Sequence, residues 1–368
     1  MSYPKVTWDE EKLLSNAKRL DEICEGHGID WIPVTKLVCA NDEIINSLYT
    51  TGYREFSDSR ILNIKKIKKL HPSCKTLLLR LPALSEINEV IQYVDTSLVS
   101  EWRTIEALNN EAIRQGKTHN IILMIDVGDL REGILSGDLD DIGERIIGLS
   151  GVKWNGIGTN LTCYGGVIPT TTTMSKLYSY KRLIEERMNY SLQIVSGGNS
   201  SSLPLVLQED MPKEINQLRL GEALFLGRET AYGNKVDRMY NDIFTLEAEV
   251  IELKEKPSVP SGTIGMNAFG EKPTFLDRGI RQRAILAIGE QDVSVSGLVP
   301  HDKGMKILGA SSDHLILDVS DSIELVSVGS IVKFHLNYKA LLQVMTSSYV
   351  AIDRKVQADQ KYERQVNP

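Results

Sequence analysis

A single lysine closes an apolar run. In the apolar run Ile32-Pro33-Val34-Thr35-Lys36-Leu37-Val38-Cys39, Lys36 stands where a buried β-strand should end. An ammonium in that place is costly to desolvate, so it carries a chemical role or meets a counter-charge; a snorkelling stem with a solvated head is the plain alternative. Further along, Ser196-Gly197-Gly198-Asn199-Ser200-Ser201 places small residues ahead of a helical stretch, and Arg219-Leu220-Gly221-Glu222 puts a second glycine just past another short strand. Backbone N–H groups in such loops hold anions. The chemistry this suits is an anion held by amides with a nucleophilic amine nearby.

The elements that must position these residues follow a rhythm. After an amphipathic helical stretch at 8–26, short apolar strands occur at 31–34, 54–57, 76–81, 97–99, 120–126, 156–159, 192–195 and 217–219, each after the first preceded by a helical pattern. Strands apolar on both faces and alternating with helices predict a parallel sheet with right-handed crossovers. Eight such units fit a closed (β/α)8 TIM barrel, with a doubly wound open sheet as the competing architecture. After about residue 232 the pattern turns to period two, at 244–253, 284–288, 314–319 and 330–335, with Gly/Pro-rich turns between. The expected fold is therefore α/β: a barrel over 1–235 and a mostly antiparallel β domain over 236–368, with a charged tail that frays after Tyr349.

In a barrel, the C-terminal ends of the strands line one mouth. Lys36, Arg60, Arg80, Asp126 to Arg131, Asn160, the 196–201 loop and Arg219 all fall there. Singly, Arg60 or Arg80 reads as a structural ion pair and the Gly/Ser run as a flexible turn; together they favour a site. Barrels often hold phosphate beside the seventh and eighth strands, where the two glycine loops lie. A lysine across the mouth then suits a Schiff base with an aldehyde, and pyridoxal 5′-phosphate meets both demands.

Composition excludes other classes. The chain has 368 residues, 42% hydrophobic and 25% charged, with a net charge of −7 and no basic stripe, which argues against a nucleic-acid partner. No stretch is long and apolar enough for a bilayer, and the N-terminus has no apolar leader core. Cys24, Cys39, Cys74 and Cys163 show no paired or metal-ligand spacing, so they read as reduced thiols in a cytoplasmic protein. No metal site is expected.

The stretches VTKLVCA (34–40), FSDSRILNIKK (56–66), LLLRLP (77–82), MIDVGDLREG (124–133), SGGNSSS (196–202), RLGEALFLG (219–227) and ASSDHLILDVSD (310–321) resemble the alanine racemase-like, fold type III pyridoxal phosphate enzymes. Within them the chain is most similar to the ornithine racemase-type amino-acid racemases. The resemblance implies that Lys36 holds the cofactor and exchanges a proton at Cα. Arg219 faces the pyridine nitrogen; a guanidinium only donates, so the ring nitrogen stays unprotonated and the ring is a weaker electron sink. Asn199, Ser200, Ser201 and Gly221 correspond to the phosphate loops. Tyr349 matches a phosphate-binding tyrosine, with a β-core tyrosine as the other reading. Arg131 matches an arginine near the substrate carboxylate, and Asn160 stands where alanine racemases carry a histidine.

One departure matters. Racemisation removes a proton on one face of Cα and returns it on the other. Alanine racemases add a tyrosine from the partner subunit's β domain, but the matching stretch here is Gly289-Glu290-Gln291-Asp292. Glu290, Asp292 and Asp313 are the candidate second proton carriers; a polar turn at a dimer interface is the alternative. Asp129, Glu222, Glu290, Asp292 and Asp313 are candidate partners for the distal ammonium of ornithine or lysine. The expectation is a head-to-tail homodimeric racemase of a free basic amino acid. An alanine or broad-specificity racemase, a cofactor carrier with little turnover, a decarboxylase and a cofactor-free hydrolase are the competing readings.

Overall fold

The computed structural model describes residues 3–267 and 269–355. The chain divides into two compact units, one over 11–241 and one formed by the first ten residues together with the chain from 242 onward. Its first strand, β1 (Lys5–Trp8), belongs to the second unit.

The 11–241 unit begins with α1 (Glu10–Glu25), which buries Leu13, Ala17, Leu20, Ile23 and Cys24 along one stripe. Eight parallel strands follow: β2 (Asp30–Pro33), β3 (Glu55–Asp58), β4 (Lys75–Leu78), β5 (Thr96–Val99), β6 (His119–Met124), β7 (Val152–Gly158), β8 (Ile194–Ser196) and β9 (Gln217–Leu220). They pair in the order β2-β9-β8-β7-β6-β5-β4-β3. A parallel bridge between Val34 and Ser57 joins the two ends, so the sheet closes into the expected barrel. Ser57 reinforces the seam by donating its hydroxyl to the Pro33 carbonyl at 3.0 Å. Ile32, Leu77, Leu98, Ile122 and Met124 fill the interior, which makes the barrel a packed core with no pore.

The crossover helices are set by local chemistry. Asn41 caps α2 (Asp42–Thr50) by accepting from the amides of Glu43 and Ile44. Thr170 and Thr173 form a reciprocal capping box at the start of α7 (Thr171–Met188). Each cap satisfies donors that a helix start leaves without an intrahelical partner.

In the other unit, β10 (Phe244–Pro257) is the spine. It pairs antiparallel with β1, with β11 (Ile280–Leu286) and with β15 (Ile331–Leu336). The strands β12 (Leu298–Pro300), β13 (Lys306–Ala310) and β14 (Leu315–Asp318) complete the order β12-β15-β10-β11-β14-β13. A helix, α10 (Tyr338–Val344), precedes β16 (Ala351–Arg354), which runs parallel to β1.

Ahead of the helix expected over 8–26, residues 5–8 form a buried strand: Val6 and Trp8 are fully buried, and β1 is held between β10 and β16. The two compact units divide after residues 10 and 241, so β1 belongs with the later strands. The stretch expected to fray after Tyr349 instead forms β16, because β1 supplies it with a partner; residues 356–368 of that tail lie outside the described residues.

Candidate active site

Lys36 leaves the barrel on a turn, not on the strand itself. After β2 the chain tightens into a 3-10 helix, Thr35–Val38, and exits through Cys39 and Ala40 at φ 52° and 46°. The turn is anchored by the buried Asp58 carboxylate, which accepts from Thr35 Oγ1 at 2.7 Å, from the Arg60 amide at 2.9 Å and from Asn63 Nδ2 at 3.1 Å. Burial pushes the Asp58 pKa upward, and these three donors oppose the shift. Lys36 thus stands on a backbone fixed from the neighbouring strand.

Arg219, at the end of β9, is 2% exposed. Its guanidinium donates to Ser196 Oγ, to the Thr159 carbonyl at 2.8 Å and to Asn160 Oδ1 at 2.8 Å. Burial lowers its pKa to about 10, so it remains charged at neutral pH. Asn160 Nδ2 in turn donates to Glu132, and Glu132 receives the Arg131 guanidinium through both Nε and Nη2. Arg131, Asn160 and Arg219 therefore form one hydrogen-bonded chain, with Glu132 as its missing link. Sequence reading passed over Glu132 because an Arg-Glu dipeptide resembles an ordinary surface ion pair.

The two glycine-bearing loops are laced together. Asn199 Oδ1 accepts the Ser201 amide at 2.8 Å, and Asn199 Nδ2 donates to the Leu161 carbonyl at 3.1 Å. Ser201 Oγ reaches the same carbonyl at 3.4 Å. Ser200 Oγ accepts the Ala223 amide at 3.1 Å, tying the 196–202 loop to the start of α9 (Glu222–Leu226). Gly198 has φ +104°, and a Cβ on Gly221 would lie 3.0 Å from Val34 Cβ. Both positions need glycine, the first for its backbone and the second for close strand approach.

Asp129 does not fit the ammonium-binding role considered for it. Its side chain is buried and accepts from the amides of Cys163 at 3.1 Å, Tyr164 at 2.9 Å and Val167 at 3.1 Å. It holds the 163–167 loop in place. Glu222 is half-buried, and burial lifts its carboxyl to about 7 against the pull of Lys36 and Arg228.

The β unit brings the other candidates into one area. Glu290 donates its amide to the Ser311 carbonyl at 3.0 Å, and the Gln291 amide reaches the Ser312 carbonyl at 3.1 Å. The turns carrying Glu290 and Asp313 are therefore neighbours. Asp292 is 9% exposed and accepts from Ser347 Oγ at 2.7 Å; the same hydroxyl accepts the Tyr349 amide at 3.1 Å. Tyr349 is 70% exposed, which excludes the β-core reading of that side chain.

The barrel rim fits a phosphate-bearing aldehyde. It offers an amine on a fixed turn, a buried guanidinium and two glycine-dependent loops. Thr159 Oγ1 is buried there without a hydrogen-bond partner, on the residue whose carbonyl Arg219 holds. An orphaned buried hydroxyl of this kind marks a place where a ligand or water supplies the missing partner.

Comparison with known proteins points the same way. Residues 8–229 match the family described as alanine racemase, N-terminal domain. The chain is 48% identical over 349 residues to the ornithine racemase of Acetoanaerobium sticklandii, covering 95% of this chain and 98% of that one. It is 41% identical over 353 residues to the lysine racemase of Thermotoga maritima, with the same coverage of 95% and 98%. In fold it resembles alanine racemase of Bartonella henselae with covalently bound pyridoxal phosphate, at TM-score 0.74 and 18% identity over 96% of this chain and 100% of that one. A family match across the whole barrel, with relatives aligned over both units, leaves one assignment: the chain belongs to the alanine racemase family of pyridoxal phosphate-dependent amino-acid racemases.

Proposed function

We propose that this protein racemises a free basic amino acid, ornithine or lysine, with Lys36 as one proton carrier and a carboxylate as the other. The observation that carries the reading is the hydrogen-bonded chain from Arg219 through Asn160 and Glu132 to Arg131. It spans the expected ring-nitrogen and carboxylate positions on the rim that also bears Lys36. The names of the two curated relatives, ornithine racemase and lysine racemase, support the choice of substrate class.

When bound, pyridoxal phosphate supplies an aldehyde that joins an amine and a ring that draws electrons from the substrate's Cα–H. The protein does the rest. Lys36 Nζ, held on its turn by Thr35 and Asp58, accepts or returns the proton on one face of Cα. Arg219 presents only donors, so it keeps the facing ring nitrogen unprotonated and moderates the electron sink. Arg131 receives the substrate carboxylate. The amides and hydroxyls of Asn199, Ser200, Ser201 and Gly221 hold the phosphate.

The opposite face needs a second carrier, and Glu290, Asp292 or Asp313 supplies it from the partner of a head-to-tail homodimer. Apolar side chains exposed on the β unit, such as Phe269 at 50% and Leu276 at 73%, support a partner surface there. The four unpaired thiols support a cytoplasmic setting. The decisive experiment is a chiral assay over a panel of L-amino acids in deuterated water. Deuterium entry at Cα with formation of the D-enantiomer, fastest for ornithine or lysine, supports the reading. No exchange with any amino acid overturns it.

A further inference from the structure

Glu132 has no role in the reaction as so far described, yet it holds two side chains of the site, Arg131 and Asn160. It follows Arg131 directly in sequence, and its side chain is 14% exposed against 42% for Arg131. One carboxylate oxygen accepts from Arg131 Nε; the other accepts from both Arg131 Nη2 and Asn160 Nδ2. Asn160 is thereby oriented: with its amide nitrogen committed to Glu132, its carbonyl oxygen must face Arg219, which donates to it at 2.8 Å. A backbone constraint keeps the segment in place, since Gly133 has φ +135° and a Cβ there would lie 2.4 Å from the Asp126 amide nitrogen.

Two consequences follow. The fork on Glu132 occupies the Nε and Nη2 edge of Arg131, which leaves Nη1 as the free end of the guanidinium for a substrate carboxylate. The two guanidiniums, one of them fully buried, also need a compensating negative charge within the network, because an unpaired buried charge is strongly destabilising.

We propose that Glu132 is a positioning residue that aims Arg131 at the substrate carboxylate and, through Asn160, fixes the orientation of Arg219. The inference rests on the proposed racemase reading for what Arg131 and Arg219 do, but the coupling itself is a property of the protein. Glu132 touches neither substrate nor cofactor and works through the side chains it holds.

The test uses the full-length holoenzyme and the variants Glu132→Gln and Glu132→Asp, with melting curves to confirm folding. Losing one charge-assisted fork should raise KM for the amino acid by about tenfold while kcat changes less, since a misaimed carboxylate clamp weakens ground-state and transition-state binding alike. Glu132→Asp, which keeps the charge, should recover part of the loss. The second readout is independent of turnover: in 15N-arginine spectra, the Arg131 and Arg219 Nε–H signals, assigned with Arg131→Lys and Arg219→Lys, should both shift in Glu132→Gln. Unchanged KM in Glu132→Gln, or movement of the Arg131 signal alone, overturns the proposal. If the wild-type enzyme racemises nothing, the racemase reading falls, and the arginine signals still decide the coupling. Should Glu132→Gln not fold, Glu132→Asp decides: its shorter side chain must shift both arginine signals, and unchanged signals overturn the coupling.

Discussion

Val34 donates its amide to the Leu220 carbonyl at 2.9 Å, and each of these two residues stands two positions ahead of a charged side chain, Lys36 and Glu222. Burial raises the Glu222 carboxyl to about 7, and the nearby Lys36 ammonium opposes the rise. A carboxyl whose folded pKa lies above its ordinary 4.5 favours folding fully below pH 4.5 and loses that favour as pH climbs through about 7. Glu222→Gln, which cannot ionise, should melt like the wild type at pH 4.5 and above it at pH 8. Parallel melting curves at the two pH values check this; an equal gap at both would show that Glu222 does not titrate in this window.

Lys36→Ala should abolish racemisation, by about a thousandfold or more, because no other amine stands on that turn. Purified wild type should be yellow and lose its colour on borohydride treatment, with the label recovered on the peptide containing Lys36. A variant that still bleaches and labels elsewhere would place the nucleophile at another lysine.

Arg219→Lys keeps a positive charge but cannot match a planar fork that serves Ser196, Thr159 and Asn160 together. Leaving buried acceptors without donors should cost about 1–3 kcal/mol of stability. Calorimetry on wild type and variant reads this directly, and with Arg219 in its proposed place opposite the ring nitrogen the variant's visible absorption band should move.

Asp129→Asn should destabilise the protein by about 1–3 kcal/mol at neutral pH, because a carboxylate that accepts several loop amides is replaced by a neutral amide with a single acceptor oxygen. Burial opposes ionisation of Asp129, but the loop amides outweigh it and hold the carboxyl below its usual 3.8. Its contribution is present above pH 3.8 and fades as pH falls through the lower folded value, so the gap between variant and wild type should narrow in strong acid. Substrate preference should be unchanged, since the carboxylate is spent on the loop.

Among Glu290, Asp292 and Asp313, substitution of the true second carrier should leave a half-reaction. Such a variant exchanges the Cα proton of one enantiomer with deuterated water through Lys36 while forming almost none of the other. Amide replacements tested one at a time locate it, and full racemisation in all three rejects the set.

How much of this could be read in the sequence depends on burial. The barrel strands were legible because both faces are covered, which makes runs such as Ile121-Ile122-Leu123-Met124 continuously apolar. Their ends moved by up to four residues, as at β7, expected from 156 and found from Val152, while Lys36 stands on the turn just past β2. β1 was missed because Lys5-Val6-Thr7-Trp8 is short and its partners, β10 and β16, lie far away in sequence. β13 was missed because its residues are half-buried or exposed and carry no clear period. That Arg131, Asn160 and Arg219 share one rim was legible from type and position, whereas their link through Glu132 was not: it lies in reaching Asn160 across 28 positions of chain.

The placement of β1 also bears on how the protein is made. Lys5–Trp8 is synthesised before the barrel and Ala351–Arg354 after it, yet they are neighbours in one sheet. The barrel over 11–241 has all its strands before most of the β unit exists. A ribosome paused just past Asn241 would therefore carry a complete barrel preceded by a hydrophobic strand with nothing to pair with. Domains fold as they emerge, and an unpaired strand edge invites association with other chains. Until β10 and β16 have been made, β1 has neither of the strands that flank it in the sheet.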